Sequence, residues 1–154
     1  RSIFEGFDKS SDINFLEIGI QRGGSLMAWR DYFPNANIYG VDIVDVILPE
    51  YRKDDITFIF KDIKDASVKE LLSGITFDII IDDGSHMLPD VLFVVNNFLS
   101  MLRPNGVLII EDCQQPDYWL AEVNNILPEG YSITFKDLRA GHGYDNYLIV
   151  ITKI

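Results

Sequence analysis

Asp82-Asp83-Gly84-Ser85-His86 closes an apolar run over 77–81, and Glu111-Asp112 closes a second over 107–110. Carboxylates that end buried strands collect at the carboxyl edge of a parallel sheet, where α/β proteins place their chemistry. Carboxylate oxygens are hard ligands suited to Mg²⁺. A histidine changes protonation near neutral pH and can relieve a reacting hydroxyl of its proton. Two acid pairs and one histidine therefore make a candidate metal-and-base site.

Three further constellations lie upstream. In Leu16-Glu17-Ile18-Gly19-Ile20-Gln21-Arg22-Gly23-Gly24-Ser25, a strand runs into a Gly-rich turn and then a helix. Gly19 would let a ligand approach the backbone, and Gly23-Gly24 would permit a tight turn into the helix. The spacing is not the GxGxxG dinucleotide fingerprint. The wider loop suits a nucleoside with an amino-acid tail better than a pyrophosphate; the plainer reading is a turn with no ligand. Tyr39-Gly40-Val41-Asp42 ends the next strand with an acid about 20 residues beyond the loop, where a carboxylate can take both ribose hydroxyls. Phe60-Lys61-Asp62 ends a third strand. Asp62 could accept from an adenine amino group or cap the helix that begins near Asp65.

The elements that must position these residues alternate. Strands are expected over 15–20, 38–43, 57–61, 77–82 and 107–111. Helices are expected over 24–33, ended by Pro34, over 65–72, from 88 onward, and over 116–127. The third of these shows an apolar stripe at Val91, Leu92, Val95, Phe98, Leu99 and Leu102. Pro104-Asn105-Gly106 reads as a turn. The segment 44–56 is charged and supports only a weak helix. Strands over 131–137 and 147–152 follow, joined by a Gly-rich loop around Gly141 and Gly143. Five strand–helix units followed by a strand pair predict an α/β fold of one domain over 1–154: a seven-stranded, mostly parallel sheet, a C-terminal antiparallel hairpin, and helices on both faces.

Bulk composition narrows the partners. The chain has 154 residues, a net charge of −11 and 47% hydrophobic residues. It carries no Lys or Arg cluster to neutralise a phosphate backbone, which argues against a nucleic-acid partner. No apolar run is long enough to span a bilayer, so no membrane association is expected. A single cysteine, Cys113, excludes an internal disulfide and a Cys-rich zinc site. It fits a reducing, cytoplasmic setting and reads as a packed residue. Trp29 and Trp119 read as core, and His142 as an exposed loop residue, the alternative being a place in the lining of an acceptor pocket. The sequence is compatible with a homo-oligomer.

The combination of Leu16-Glu17-Ile18-Gly19, Gly23-Gly24-Ser25, Gly40-Val41-Asp42 and Lys61-Asp62 resembles class I S-adenosylmethionine-dependent methyltransferases, which are Rossmann-like. The run Ile80 to His86, with Leu102-Arg103-Pro104-Asn105-Gly106-Val107 and Ile110-Glu111-Asp112, is similar to the metal-dependent sugar O-methyltransferases of macrolide biosynthesis, of the mycinamicin type, and to cephalosporin-hydroxylase-like proteins. The ending Asp145-Asn146-Tyr147-Leu148-Ile149-Val150 resembles their last strand. Members carry an upstream segment with a Thr-Asp-Lys-like motif. Phe7-Asp8-Lys9 does not match it, so an upstream N-terminal segment is expected to be missing here.

The resemblance implies S-adenosyl-L-methionine and Mg²⁺ as cofactors and a hydroxylated small molecule, most simply a sugar, as acceptor. Glu17, Gly19, Gly23 and Ser25 would serve the methionine end, Asp42 the ribose and Asp62 the adenine. Asp83 and Asp112 would hold the metal. Asp82 and Glu111 are the rival choices in each pair, because successive strand residues face opposite sides; Asp82 otherwise serves the cofactor. His86 would be the base. The alternative is a donor-binding accessory subunit without catalysis, which would need neither His86 nor both acid pairs.

Overall fold

The apolar runs become strands. The computed structural model describes residues 3–138 and 147–154. The loop around Gly141 and Gly143, with His142, lies outside the described residues. The strands are β1 (Asn14–Ile18), β2 (Asn37–Asp42), β3 (Ile56–Phe60), β4 (Phe77–Asp82), β5 (Leu102–Ile110), β6 (Tyr131–Asp137) and β7 (Tyr147–Lys153). The helices are α1 (Gly24–Tyr32), α2 (Ala66–Leu71), α3 (Leu88–Phe98) and α4 (Pro116–Ile126).

All seven strands form one sheet in the order β3-β2-β1-β4-β5-β7-β6. β1 to β5 pair in parallel, whereas β7 runs antiparallel to both β5 and β6. The expected architecture is the observed one. The chain steps outward through β2 and β3, then returns to build β4 and β5 on the other side of β1. That reversal opens a crevice beyond the carboxyl ends of β1 and β4.

Alternate strand residues feed two apolar layers. On one face Leu16, Ile80 and Leu108 pack with Val95 and Phe98 of α3 and with Trp119 and Val123 of α4. On the other, Phe15, Ile79 and Ile109 pack with Leu26 of α1 and with Phe33. Every position of β4 is buried, as a central strand covered on both faces requires. Each large side chain fully removed from water there contributes roughly 1.5–3 kcal/mol.

Asp78 and Asp82 are the charged exceptions in β4, and Asp78 lies at its amino end. Its Oδ2 accepts from the Asn14 backbone N–H at 2.8 Å, and its Oδ1 pairs with Arg103 Nε. A buried carboxylate without such partners costs several kcal/mol. The pair ties β1, β4 and the start of β5 together at the amino edge, opposite the crevice.

Apart from single-residue shifts, two boundaries differ from the sequence expectation, and Leu102, expected on the apolar stripe of α3, opens β5 instead. β1 stops at Ile18 because Gly19 turns into the left-handed region, with φ 83°. Pro104-Asn105-Gly106 lies within β5 rather than ahead of it. There the register jumps from Phe77 opposite Leu102 to Ile79 opposite Val107. The intervening residues bulge out, with Asn105 at φ 65°. Segment 44–56 forms only one short 3₁₀ turn, Pro49–Tyr51. No helix among the described residues is long and apolar enough to cross a membrane.

Candidate active site

The Gly-rich turn is built by its own backbone. Gly19 N donates to Val41 O at 2.8 Å, and Gly23 N to Ile20 O at 2.8 Å. Gly23, at φ 91°, is the N-cap of α1. Asp42 braces this turn: its Oδ2 accepts from the N–H groups of Ile20 and Gln21, both at 2.9 Å. Its Oδ1 accepts from Val44 N at 3.2 Å. Asp42 thus holds the loop while also lining the cleft beside it.

That cleft has a volume of about 310 Å³, and its lining includes Gly19, Asp42, Ile43, Asp62 and Asp82. A second recess of about 340 Å³ is lined by Gly19, Arg22, Ser25, Tyr51 and Asp83. Gly19, Gln21 and Asp83 border both. Asp62 does not cap α2; Asp65 does, accepting from Ser67 N at 2.9 Å. Asp62 instead accepts from Lys64 N at 2.9 Å at the cleft wall.

The acid pairs sit where the sheet's hydrogen bonding runs on past the strands. Asp83 N donates to Ile18 O at 2.9 Å, and Glu111 N to Asp82 O at 3.0 Å. Within each pair the side chains separate. Asp83 and Asp112 turn toward His86, whose Nε2 lies 3.8 Å from Asp83 Oδ1 and 3.8 Å from Asp112 Oδ2. One ligand atom from each of these three residues falls within 4.8 Å of the others. His86 and Asp112 reach this arrangement through left-handed backbone, at φ 55° and 52°. His86 precedes α3, whose N-cap is Met87, so it does not cap that helix.

Asp82 lies outside that set of three and lines the cleft beside Gly19. It is buried, its Oδ1 accepts from Gly84 N at 3.2 Å, and its Oδ2 has no partner among the described residues. Burial pushes its carboxyl up to about 6. Glu111 stands outside the set of three and borders a recess shared with Phe4, Trp29 and Leu148. Burial, then the charges of Asp83, Asp112 and Asp82, push it up to about 7. Burial also holds Asp83 above the ordinary range.

Glu17 and Ser25 are bonded to each other: Ser25 Oγ donates to Glu17 Oε2 at 2.9 Å. Trp29 Nε1 contributes a longer bond to Oε1 at 3.5 Å, so Trp29 supports the site as well as the core. Burial pushes Glu17 up to about 8. Cys113 is buried, and burial pushes its thiol up to about 12, which makes it the inert packed residue expected. The sequence reading missed Lys64 and Asp90, which also line the cleft. They are 26 residues apart and no spacing rule pairs them.

The site therefore concentrates acids around a glycine cradle. Such a field draws cations and repels phosphates. The chemistry of the donor set fits Mg²⁺, which is bound by one or two carboxylates and keeps other positions for water and substrate oxygens. The room left by Gly19's missing Cβ is taken by the Asp83 backbone rather than left for a ligand, while the unpartnered Asp82 oxygen fits a ligand with hydrogen-bond donors.

Residues 16–113 match a family model described as a methyltransferase domain. The chain belongs to that family. It is 38% identical over 118 residues to the 8-demethyl-8-alpha-L-rhamnosyl tetracenomycin-C 2'-O-methyltransferase of Streptomyces olivaceus, covering 71% of this chain and 30% of that protein. It is 36% identical over 124 residues to the mycinamicin VI 2''-O-methyltransferase of Micromonospora griseorubida, covering 72% of this chain and 29% of that protein. The chain thus spans about 30% of the length of these curated relatives. Its fold matches MycE methyltransferase from the mycinamycin biosynthetic pathway, solved with Mg, SAH and mycinamycin VI. The TM-score is 0.71 at 23% identity, covering 93% of this chain and 45% of that one.

Proposed function

We propose that this chain is the catalytic domain of an S-adenosylmethionine- and Mg²⁺-dependent O-methyltransferase acting on a sugar hydroxyl or another polyhydroxylated small molecule. The observation that carries the reading is the gathering of Asp83, His86 and Asp112 beside a glycine cradle. The named activities of the relatives support the sugar acceptor. A cytoplasmic setting is part of the same reading.

The two recesses that meet at Gly19 suit a donor with two ends. The larger lining of acids, Asp42 and Asp62 with Asp82 below, would receive the adenosine. The recess beside Ser25 and Glu17 would receive the amino-acid tail. Gly23 shapes that end by starting α1 in the left-handed region. Asp83 and Asp112, with Glu111 nearby, would hold the metal. When bound, the donor supplies an electrophilic methyl group and Mg²⁺ supplies Lewis acidity toward the acceptor oxygen.

His86 then removes the acceptor hydroxyl's proton at Nε2, the nitrogen turned toward Asp83 and Asp112. Fixed strand ends keep the acceptor oxygen and the donor in line, which lowers the entropic part of the barrier by several kcal/mol. The test is formation of S-adenosylhomocysteine from S-adenosylmethionine and Mg²⁺ over a panel of glycosylated acceptors. Acceptor-dependent product that EDTA abolishes supports the reading. Product that forms equally in EDTA contradicts the metal's part in it.

A further inference from the structure

We infer that Asp90 is a positioning residue that ties the wall of the donor cleft to the loop carrying His86. This rests on the proposed reading of that cleft and of His86 as the base. Asp90 lies in the first turn of α3 and divides its carboxylate between two loops. Oδ1 accepts from Lys64 Nζ at 2.8 Å. Oδ2 accepts from Ser85 Oγ at 2.6 Å.

Each partner belongs to a different part of the site. Lys64 follows Asp62 and closes a turn on it through its backbone N–H; both residues line the cleft. Ser85 precedes His86, and its Oγ accepts from Met87 N at 3.3 Å. The single hydroxyl proton goes to Asp90, so the oxygen's lone pairs are left for Met87. Ser85 thereby holds the chain on both sides of His86. That matters because His86 occupies left-handed backbone, a conformation that costs a non-glycine residue about 1–3 kcal/mol and persists only when its surroundings impose it. Lys64 and Ser85 together hold the Asp90 carboxyl below its ordinary range, so it is ionised wherever the domain is folded near neutral pH.

A displacement of the loop over 62–64 is therefore transmitted to His86 through one carboxylate. Filling the cleft and ordering the base become linked, and the linkage is reciprocal. Lys61 lines the same cleft with the same charge but bonds Ser67 rather than Asp90. It provides the control for charge alone.

The experiment is a ¹H–¹³C spectrum of the protein labelled at histidine Cε1, at fixed pH and without cofactors. The His86 signal is assigned by its loss in His86→Gln. Lys64→Met and Asp90→Asn are expected to move that signal beyond its linewidth, Lys64→Arg to restore it, and Lys61→Met to leave it in place. Superimposed His86 signals in wild type, Lys64→Met and Asp90→Asn would overturn the inference. So would an equal displacement in Lys61→Met. If Asp90→Asn does not fold, the exposed Lys64 variant decides alone. S-adenosylhomocysteine is then added: the His86 displacement it causes in wild type should fall to roughly half or less in Lys64→Met. A wild type that ignores S-adenosylhomocysteine counts against the donor cleft, while the cofactor-free spectra still decide the role of Asp90.

Discussion

The backbone of Gly19 lies so close to the carbonyl of Asp83 that a Cβ at position 19 would sit 2.1 Å from that oxygen. The Gly-rich loop after β1 and the acid pair that ends β4 are thus in direct contact, and only glycine permits it. Gly74 has the same φ of 83° but nothing within 4 Å of its would-be Cβ. Gly74→Ala should therefore cost only the left-handed penalty of roughly 1–2 kcal/mol. Gly19→Ala should cost clearly more and weaken S-adenosylhomocysteine binding as well. Urea denaturation of both variants checks this; equal destabilisation would mean that the contact with Asp83 is unimportant.

His86 stands 3.8 Å from both Asp83 and Asp112 and outside the lining of the cleft beside Gly19. His86→Ala should lower turnover by about 10²–10⁴ and leave the dissociation constant for S-adenosylhomocysteine nearly unchanged. Single-turnover rates and calorimetry separate the two effects. Turnover within a few-fold of wild type would remove His86 from the role of base.

Asp83 and Asp112 turn to the same point beside His86, whereas Asp82 is buried outside that set. Asp83→Asn and Asp112→Asn should each weaken Mn²⁺ binding by more than the roughly 10–100-fold that an outer-shell change costs. Asp82→Asn should leave Mn²⁺ affinity within a few-fold and act on donor affinity instead. Electron paramagnetic resonance of Mn²⁺ reads all three; an Asp82 variant as defective in metal binding as the others would reverse the assignment within that pair.

Glu17 makes the stability of the ligand-free protein depend on pH. Folding raises its carboxyl from the ordinary 4.5 to about 8, through burial first and then the charges of Asp83 and Glu111, against hydrogen bonds from Ser25 and Trp29. The folded state thus binds this proton more tightly than the unfolded chain. Its contribution is complete below the unfolded value and is lost as pH rises through about 8. Between pH 5 and pH 8.5 the loss is on the order of 4 kcal/mol at most. Glu17→Gln should remove this part of the slope, so the variant gains on wild type as pH rises. Denaturant midpoints of the two proteins at both pH values test it, and parallel pH profiles would rule it out.

Much of the site was legible because strand ends carry it. An apolar run followed by Asp82-Asp83 or Glu111-Asp112 marks both a sheet edge and its chemistry, and Gly19 marks a backbone turn by residue type. What the sequence could not show depends on contacts between distant segments. The separation of Asp83 from Asp82 depends on how each side chain turns once the strand has ended. Asp42 was legible as an acid at the right spacing, but its two bonds to Ile20 and Gln21 exist only once the strands pair. Pro104-Asn105-Gly106 carries the same chemistry for a turn as for a bulge, and the pairing of β4 with β5 decides between them. The Lys64–Asp90–Ser85 chain joins segments with no shared period.

The most direct test of the account is a calorimetric titration of S-adenosylmethionine into this protein, with Mg²⁺ and again with EDTA. One donor should bind per chain, with an affinity or enthalpy that changes when Mg²⁺ is present. Absence of binding in both conditions would contradict the assignment of the Gly19 cleft as a donor site.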